Sequence, residues 1–175
     1  GLSISKDYKY KKNFLNNFKI FQVDYNLIYQ KVHFDKYYLG KAKIYCRSPF
    51  ASGLLNSKKY KNFSSLDLRK GWLNSKRLKN IYKSIDKFKI LKKYSIKELS
   101  LLFLKKSSFS KNIIFGCRTL SQFKYIEKII FSKKNLSDKE FNLICEIYSN
   151  QLKDKNYYSK YDKISYIYNH SFTKF

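Results

Sequence analysis

The stretch IYCRSPFASGLLN, residues 44–56, runs as a short apolar strand and breaks at Arg47-Ser48-Pro49 into a loop of small residues. Pro49 is the only proline of the chain and Gly53 one of five glycines, so the two strongest punctuators of backbone structure meet in one loop. Proline fixes φ, and small residues let another group approach the backbone closely. On the residues alone two readings stand: an ordinary strand-to-loop turn, or a loop whose amides cradle an anion.

Working outward, KAKIYC enters that loop as a strand, and FKIFQVDYN (18–26) is a second strand, apolar at Phe18, Ile20, Phe21 and Val23 and closed by Asp24 and Asn26. GLSIS at the start reads as the end of another. A short helix is expected over KDYKYKKNFLNNF, and a helix near 31–40 closed by Gly40. A polar connection (56–71) leads to helical spacing at Leu73, Leu78, Ile81, Ile85, Phe88 and Leu91. SIKELSLLFLKK opens with a capping box, Ser95 and Glu98, and is apolar enough to be buried. KNIIFG (111–116) is a fourth strand and TLSQFKYIEKII a helix. SDKEFNLICEIY opens with a second capping box, Ser137 and Glu140, and the tyrosine-rich residues 152–175 read as a tail. Strands alternating with helices predict parallel βαβ units with both faces of the sheet buried. A doubly wound sheet and a βα barrel both satisfy the pattern.

At 175 residues with 43% apolar and 19% aromatic content, the chain has the material for one domain with a core. No apolar run approaches the roughly 20 residues of a membrane span, and no signal peptide opens the sequence. The chain starts at Gly1 and has no methionine, which predicts the tail end of a longer protein. Its formal charge of +26 points toward nucleic acid or an anionic membrane. Against that, the basic residues are nearly all lysine, spread along the chain, in a composition typical of AT-rich coding. Arginine occurs only at 47, 69, 77 and 118. Cys46, Cys117 and Cys145 lie far apart without a C-x-x-C spacing, which predicts three reduced thiols in a cytoplasmic protein and no metal site. His33 and His170 are isolated, as loop or surface histidines are.

Several stretches, taken in order, resemble the aldo-keto reductases. GLSIS resembles the end of the family's fifth strand, FQVDYNLIYQK the sixth, and IYCRSPFASGLLN the seventh strand and loop. The Arg47-Ser48 form is similar to a bacterial branch. IKELSLLFLKK resembles the helix before the last strand, NIIFGCRTLSQFKYI the eighth strand and loop, and LSDKEFNLI the closing helix. Two departures stand out: Ile4, where Asn is common after Ser3, and Tyr125-Ile126, where a Glu-Asn pair often follows the last Gln.

The resemblance implies an incomplete α/β fold, the C-terminal half of a (β/α)8 TIM barrel, with strands five to eight over residues 1–151. A whole barrel of this kind takes about 250 residues, so half a barrel also follows from counting. The implied function is the cofactor-binding half of an NAD(P)H-dependent oxidoreductase, inactive alone, which takes NADP(H) or NAD(H) with a small carbonyl or sugar-like substrate. The family's proton-relay Tyr, Lys, Asp and His belong to the other half, so no catalytic residue is assigned here. The resemblance places Ser3 and Gln22 near the nicotinamide amide, and Arg47 where many members stack a tyrosine. The alternative for Arg47 is a salt bridge to a neighbouring carboxylate. Ser48, Phe50, Ser52 and Gly53 fall in the loop that would approach the pyrophosphate. Gly116, Cys117, Arg118 and Gln122 fall at a helix start, where amides attract anions and Arg118 can grip a 2′-phosphate. A basic nucleic-acid binder and a non-catalytic interaction module are the competing functions.

Overall fold

In the computed structural model, residues 1–4, 15, 17–30, 42–56, 64, 66, 67, 69, 73 and 75–153 are described, with residues 152 and 153 as backbone only. Most of the helix expected near 6–18, the helix near 31–40, the Gly40 cap, both histidines, most of the 56–71 connection and the tail from 154 on lie outside them. Among the described residues four strands form one sheet in chain order: β1 (Leu2–Ile4), β2 (Ile20–Asp24), β3 (Lys43–Arg47) and β4 (Asn112–Ile113). All three pairings are parallel, and the sheet is not closed.

The register sorts the strand residues onto two faces, because successive side chains alternate across a strand. Phe21 pairs with Leu2 and Ile44, and Val23 with Ile4 and Cys46, so one face is apolar. On the other, Ser3, Gln22, Tyr45 and Asn112 form one row across all four strands, and Asp24 lies beside Arg47 one row on. The expectation that both faces would be buried is therefore corrected. The apolar face carries the core, while the opposite face carries polar side chains.

Among the described residues four helices accompany the sheet: α1 (Ser75–Lys87), α2 (Ile96–Lys106), α3 (Leu120–Phe131) and α4 (Asp138–Lys153). The helical spacing read from Leu73 to Leu91 is interrupted by a 3-10 turn at Phe88–Ile90, whose Phe88 is fully buried. In α2, residues Leu99 to Leu104 are all buried, as a helix apolar on every side requires. Burying each such leucine contributes about 2 kcal/mol. The Tyr25 ring, just past β2, lies 5.3 Å from both Phe103 and Phe109, and Phe103 stacks on Phe141 of α4 at 5.4 Å. This aromatic chain joins the end of β2 to α2 and α4. The Tyr25 hydroxyl pairs with Ser107 Oγ at 3.2 Å, which satisfies both buried groups.

The two capping boxes differ. At α4, Ser137 Oγ accepts from the Glu140 amide while the Glu140 carboxylate accepts from the Ser137 amide, so the box is complete. At α2, Ser95 Oγ accepts from the Glu98 amide, but the Glu98 carboxylate pairs with Lys134 at 2.7 Å. Glu140 accepts from both Lys93 and the Ser137 amide, so a lysine within reach does not by itself decide whether a box closes.

Candidate functional site

Parallel strands all end at one rim, and loops leaving that rim are where α/β folds place their ligands. Here the rim is formed by Ile4, Asp24, Arg47 and Ile113. Arg47 Nη2 donates to Asp24 Oδ2 at 3.1 Å and approaches the Ile4 carbonyl at 3.5 Å. The guanidinium thus ties three strands together. The salt bridge considered for Arg47 forms, and its partner is Asp24.

Past β2 the chain closes a tight loop in which the Asn26 and Tyr29 backbones bond each other both ways. Asn26 is buried. Its Oδ1 accepts from the Ile28 amide, and its Nδ2 donates to the Ser48 carbonyl at 2.9 Å. That second bond reaches into the loop after β3.

The loop itself is wound the rare way. Ser48 has φ 56°, Ala51 47°, Ser52 56° and Gly53 86°. Left-handed backbone costs a residue with a Cβ about 1–2 kcal/mol, so Ser48, Ala51 and Ser52 carry strain that Gly53 does not. Internal bonds hold the winding: the amides of Ala51, Gly53, Leu54 and Leu55 donate to Ser48, Phe50, Ala51 and Phe50. The amides of Phe50 and Ser52 donate to no described residue. Buried Leu54 and Leu55 anchor the far side in the core.

Side chains brace the carbonyls of three of the four left-handed residues. Asn26 serves Ser48, Asn56 Nδ2 serves Gly53 at 3.1 Å, and Arg69 Nη1 serves Ser52 at 3.0 Å. Arg69 also grips Asp67 through Nε and Nη2, the latter at 2.6 Å. The side-chain hydrogen bonds from Arg69 pull the Asp67 carboxyl down to about 2, with help from the Arg69 backbone N–H and smaller pulls from the charges of Arg69 and Arg118. Arg118, which leaves the neighbouring strand, therefore shares an electrostatic neighbourhood with the brace on the Ser52 turn.

After β4, the Ile114 amide extends the ladder to the Cys46 carbonyl at 2.8 Å, and residues 116–119 are exposed up to α3. A Cβ at Gly116 would meet nothing within 4 Å, so the protein's own packing does not require glycine there. Thr119 caps α3 by accepting from the Gln122 amide, and Gln122 Oε1 accepts from the Arg118 amide at 2.9 Å. The Gln122 side chain, expected at a cofactor, thus works as a helix cap with its oxygen. Cys117 is exposed, whereas burial pushes the Cys46 thiol up to about 12 and the Cys145 thiol up to about 11.

The structure thus brings Arg47, Ser48, Phe50, Ser52, Gly53, Gly116, Cys117, Arg118 and Gln122 to the ends of two adjacent parallel strands in one sheet. Ser3 and Gln22 lie one row below the Asp24–Arg47 pair, on the polar face. Sequence reasoning missed Asp24, Asn26, Asn56, Asp67 and Arg69. One signal pointed at Arg69: in a chain whose default cation is lysine, each of its four arginines departs from the background. Among the described residues no three His, Cys, Asp or Glu side chains group as a metal would need. No described helix is long and apolar enough to cross a membrane.

No protein-family model and no curated protein matches the sequence. Solved structures match the fold. Against the glycerol dehydrogenase of Gluconobacter oxydans the TM-score is 0.58 at 18% identity, covering 75% of this chain and 42% of that one. Against an aldo-keto reductase of Bacillus halodurans in its apo form the TM-score is 0.55 at 15% identity, covering 78% and 46%. In its holo form the values are 0.53 and 16%, covering 78% and 45%. The chain spans less than half the length of each. The likeness is one of fold: four parallel strands with flanking helices match part of an aldo-keto reductase barrel, as the ordered sequence stretches led one to expect.

Proposed function

We propose that the rim formed by the Ser52 turn and the Gly116–Thr119 loop binds the anionic part of a nicotinamide dinucleotide. The chain would then be the cofactor side of an aldo-keto-reductase-type oxidoreductase. One observation carries the reading: the two turns leave neighbouring parallel strands at the same rim, each presenting groups suited to negative charge. On one side are the Phe50 and Ser52 amides, which donate to no described residue. On the other are the exposed Arg118 guanidinium and the N-terminus of the 12-residue α3, with its partial positive charge.

The residues fit the phosphate end better than the nicotinamide end. Arg118 is exposed on the helix start and supports a choice of NADP(H) over NAD(H). Arg47 is held by Asp24, so any stacking by its guanidinium on a ring would use the plane of an already paired group. Gln22 and Ser3, on the polar face, are the candidates for the carboxamide. When bound, the cofactor supplies the hydride for carbonyl reduction; this chain supplies binding and orientation. The reading assigns the proton relay to strands outside this chain, so turnover of a small carbonyl or sugar-like substrate belongs to a completed barrel.

The test is fluorescence titration of the 175-residue chain with NADPH, beside Arg118→Ala. Loss of one charge-assisted contact is expected to weaken binding about tenfold or more. Equal affinity in the two proteins removes Arg118 from the site, and no binding by the unmodified chain removes the reading.

A further inference from the structure

The brace on the Ser52 turn is more elaborate than a surface ion pair needs to be. The carbonyls of three left-handed residues, Ser48, Ser52 and Gly53, each accept a side-chain donor. Asn56 reaches its carbonyl from three residues away, as local turn chemistry allows. Arg69 reaches Ser52 from 17 residues on, so its own geometry must be set first.

Asp67 sets it. Its Oδ1 accepts from both the backbone amide and Nε of Arg69, each at 2.9 Å, and its Oδ2 accepts from Nη2 at 2.6 Å. A carboxylate gripping one edge of a planar guanidinium, Nε together with Nη2, fixes the plane, and with it the direction of the remaining nitrogen, Nη1. That nitrogen meets the Ser52 carbonyl. A lysine offers one point charge and no fork, so it cannot hold a carboxylate and aim a second donor together.

We infer that Arg69, set by Asp67, is a positioning residue that keeps the Ala51–Gly53 turn left-handed and so leaves the Ser52 amide for an anionic ligand. The inference rests on the proposed dinucleotide site for its ligand and on the geometry alone for its effect on the turn. Two bland alternatives exist: an ion pair that decorates the loop, and an arginine that merely adds positive charge near an anion.

Asp67→Asn separates them by sign. Removing a negative charge near the Ser52 turn tightens anion binding if charge is all that matters. It weakens binding if Asp67 acts by aiming Arg69. Arg69→Lys keeps the charge and loses the fork. In the 175-residue chain, both variants are expected to bind NADPH about tenfold more weakly, the size of one charge-assisted hydrogen bond. Hydrogen exchange read by NMR gives a second arm that needs no ligand. In both variants the Gly53, Leu54 and Leu55 amides are expected to exchange about tenfold faster, while β2 and β3 amides keep their rates. Unchanged exchange at the turn, or tighter NADPH binding by Asp67→Asn, overturns the inference. Should the unmodified chain bind no NADPH, the proposed function falls and the exchange rates alone decide the role of Arg69.

Discussion

Arg47 and Asp24 meet on the last shared rung of β2 and β3, with Nη2 and Oδ2 3.1 Å apart. The pair is partly covered, with side chains 34% and 18% exposed, so solvent screens it less than a surface pair. Arg47→Ala leaves Asp24 without its cation and takes a donor from the Ile4 carbonyl. The expected loss is roughly 1–2 kcal/mol, between the values for exposed and buried pairs, read as a lower urea midpoint. A midpoint equal to that of the unmodified chain would show the pair to be idle.

The left-handed turn predicts an asymmetry between neighbours. At Gly53, φ 86° suits glycine alone, so Gly53→Val lowers stability by about 2 kcal/mol. At Ala51, φ 47°, glycine relieves strain but adds freedom to the unfolded chain, so Ala51→Gly changes stability by less than about 0.5 kcal/mol. Thermal unfolding of the two variants checks both. Equal losses at the two positions would mean the winding is not as described.

Glu140 predicts a pH dependence. The hydrogen bond from Lys93, the Ser137 backbone N–H and the Ser137 hydroxyl hold its carboxyl down to about 2, from an ordinary value of 4.5. A depressed carboxylate stabilises the fold fully above its unfolded value, and that stability is lost as pH falls through the folded one. Stability should therefore decline between about pH 4.5 and 2, and Asp67, also held at about 2, adds to the same window. Glu140→Gln should flatten the urea midpoint over this range. A midpoint as steep in the variant as in the unmodified chain would acquit Glu140.

Thiol chemistry should rank the three cysteines. The thiolate is the reactive form, and burial pushes Cys46 and Cys145 far from it while Cys117 is exposed. Iodoacetamide at neutral pH is expected to label Cys117 alone, with Cys46 reacting only in denaturant. Cys117 lies beside Arg118, so NADPH should slow its labelling if the proposed site is right. Peptide mass spectrometry reads each position. Labelling of Cys46 in the native protein would contradict its burial.

What the sequence disclosed was local. Alternation in FKIFQVDYN located β2, the apolar run in SIKELSLLFLKK located the buried α2, and Ser137 with Glu140 marked the start of α4 through contacts three residues apart. Resemblance supplied the order of strands, and with it the shared rim. What stayed hidden was set by register and distance. Ser3, Gln22, Tyr45 and Asn112 form a row only once four strands are aligned, so the polar face could not be read from any one of them. Arg69 acts on Ser52 across 17 positions, and Asp67 feels Arg118 across 51. The winding at Ser48, Ala51 and Ser52 defies propensity, since each carries a Cβ, and the side-chain donors that reach the Ser48 and Ser52 carbonyls come from 22 and 17 positions away.

The fourth strand is only two residues long. It is fastened to β3 at Asn112 and Ile113, with help from the Asn112 side chain on the Ile44 carbonyl and the Ile114 amide on Cys46. Beyond it, residues 116–119 are exposed until α3 rejoins the core through Ile126 and Ile129. The mechanical consequence is that this margin peels before the centre of the sheet does, at a fraction of the work of unraveling the whole. Arg118 lies between that short seam and the buried Ile126 and Ile129 of α3, so any grip it provides depends on both moorings.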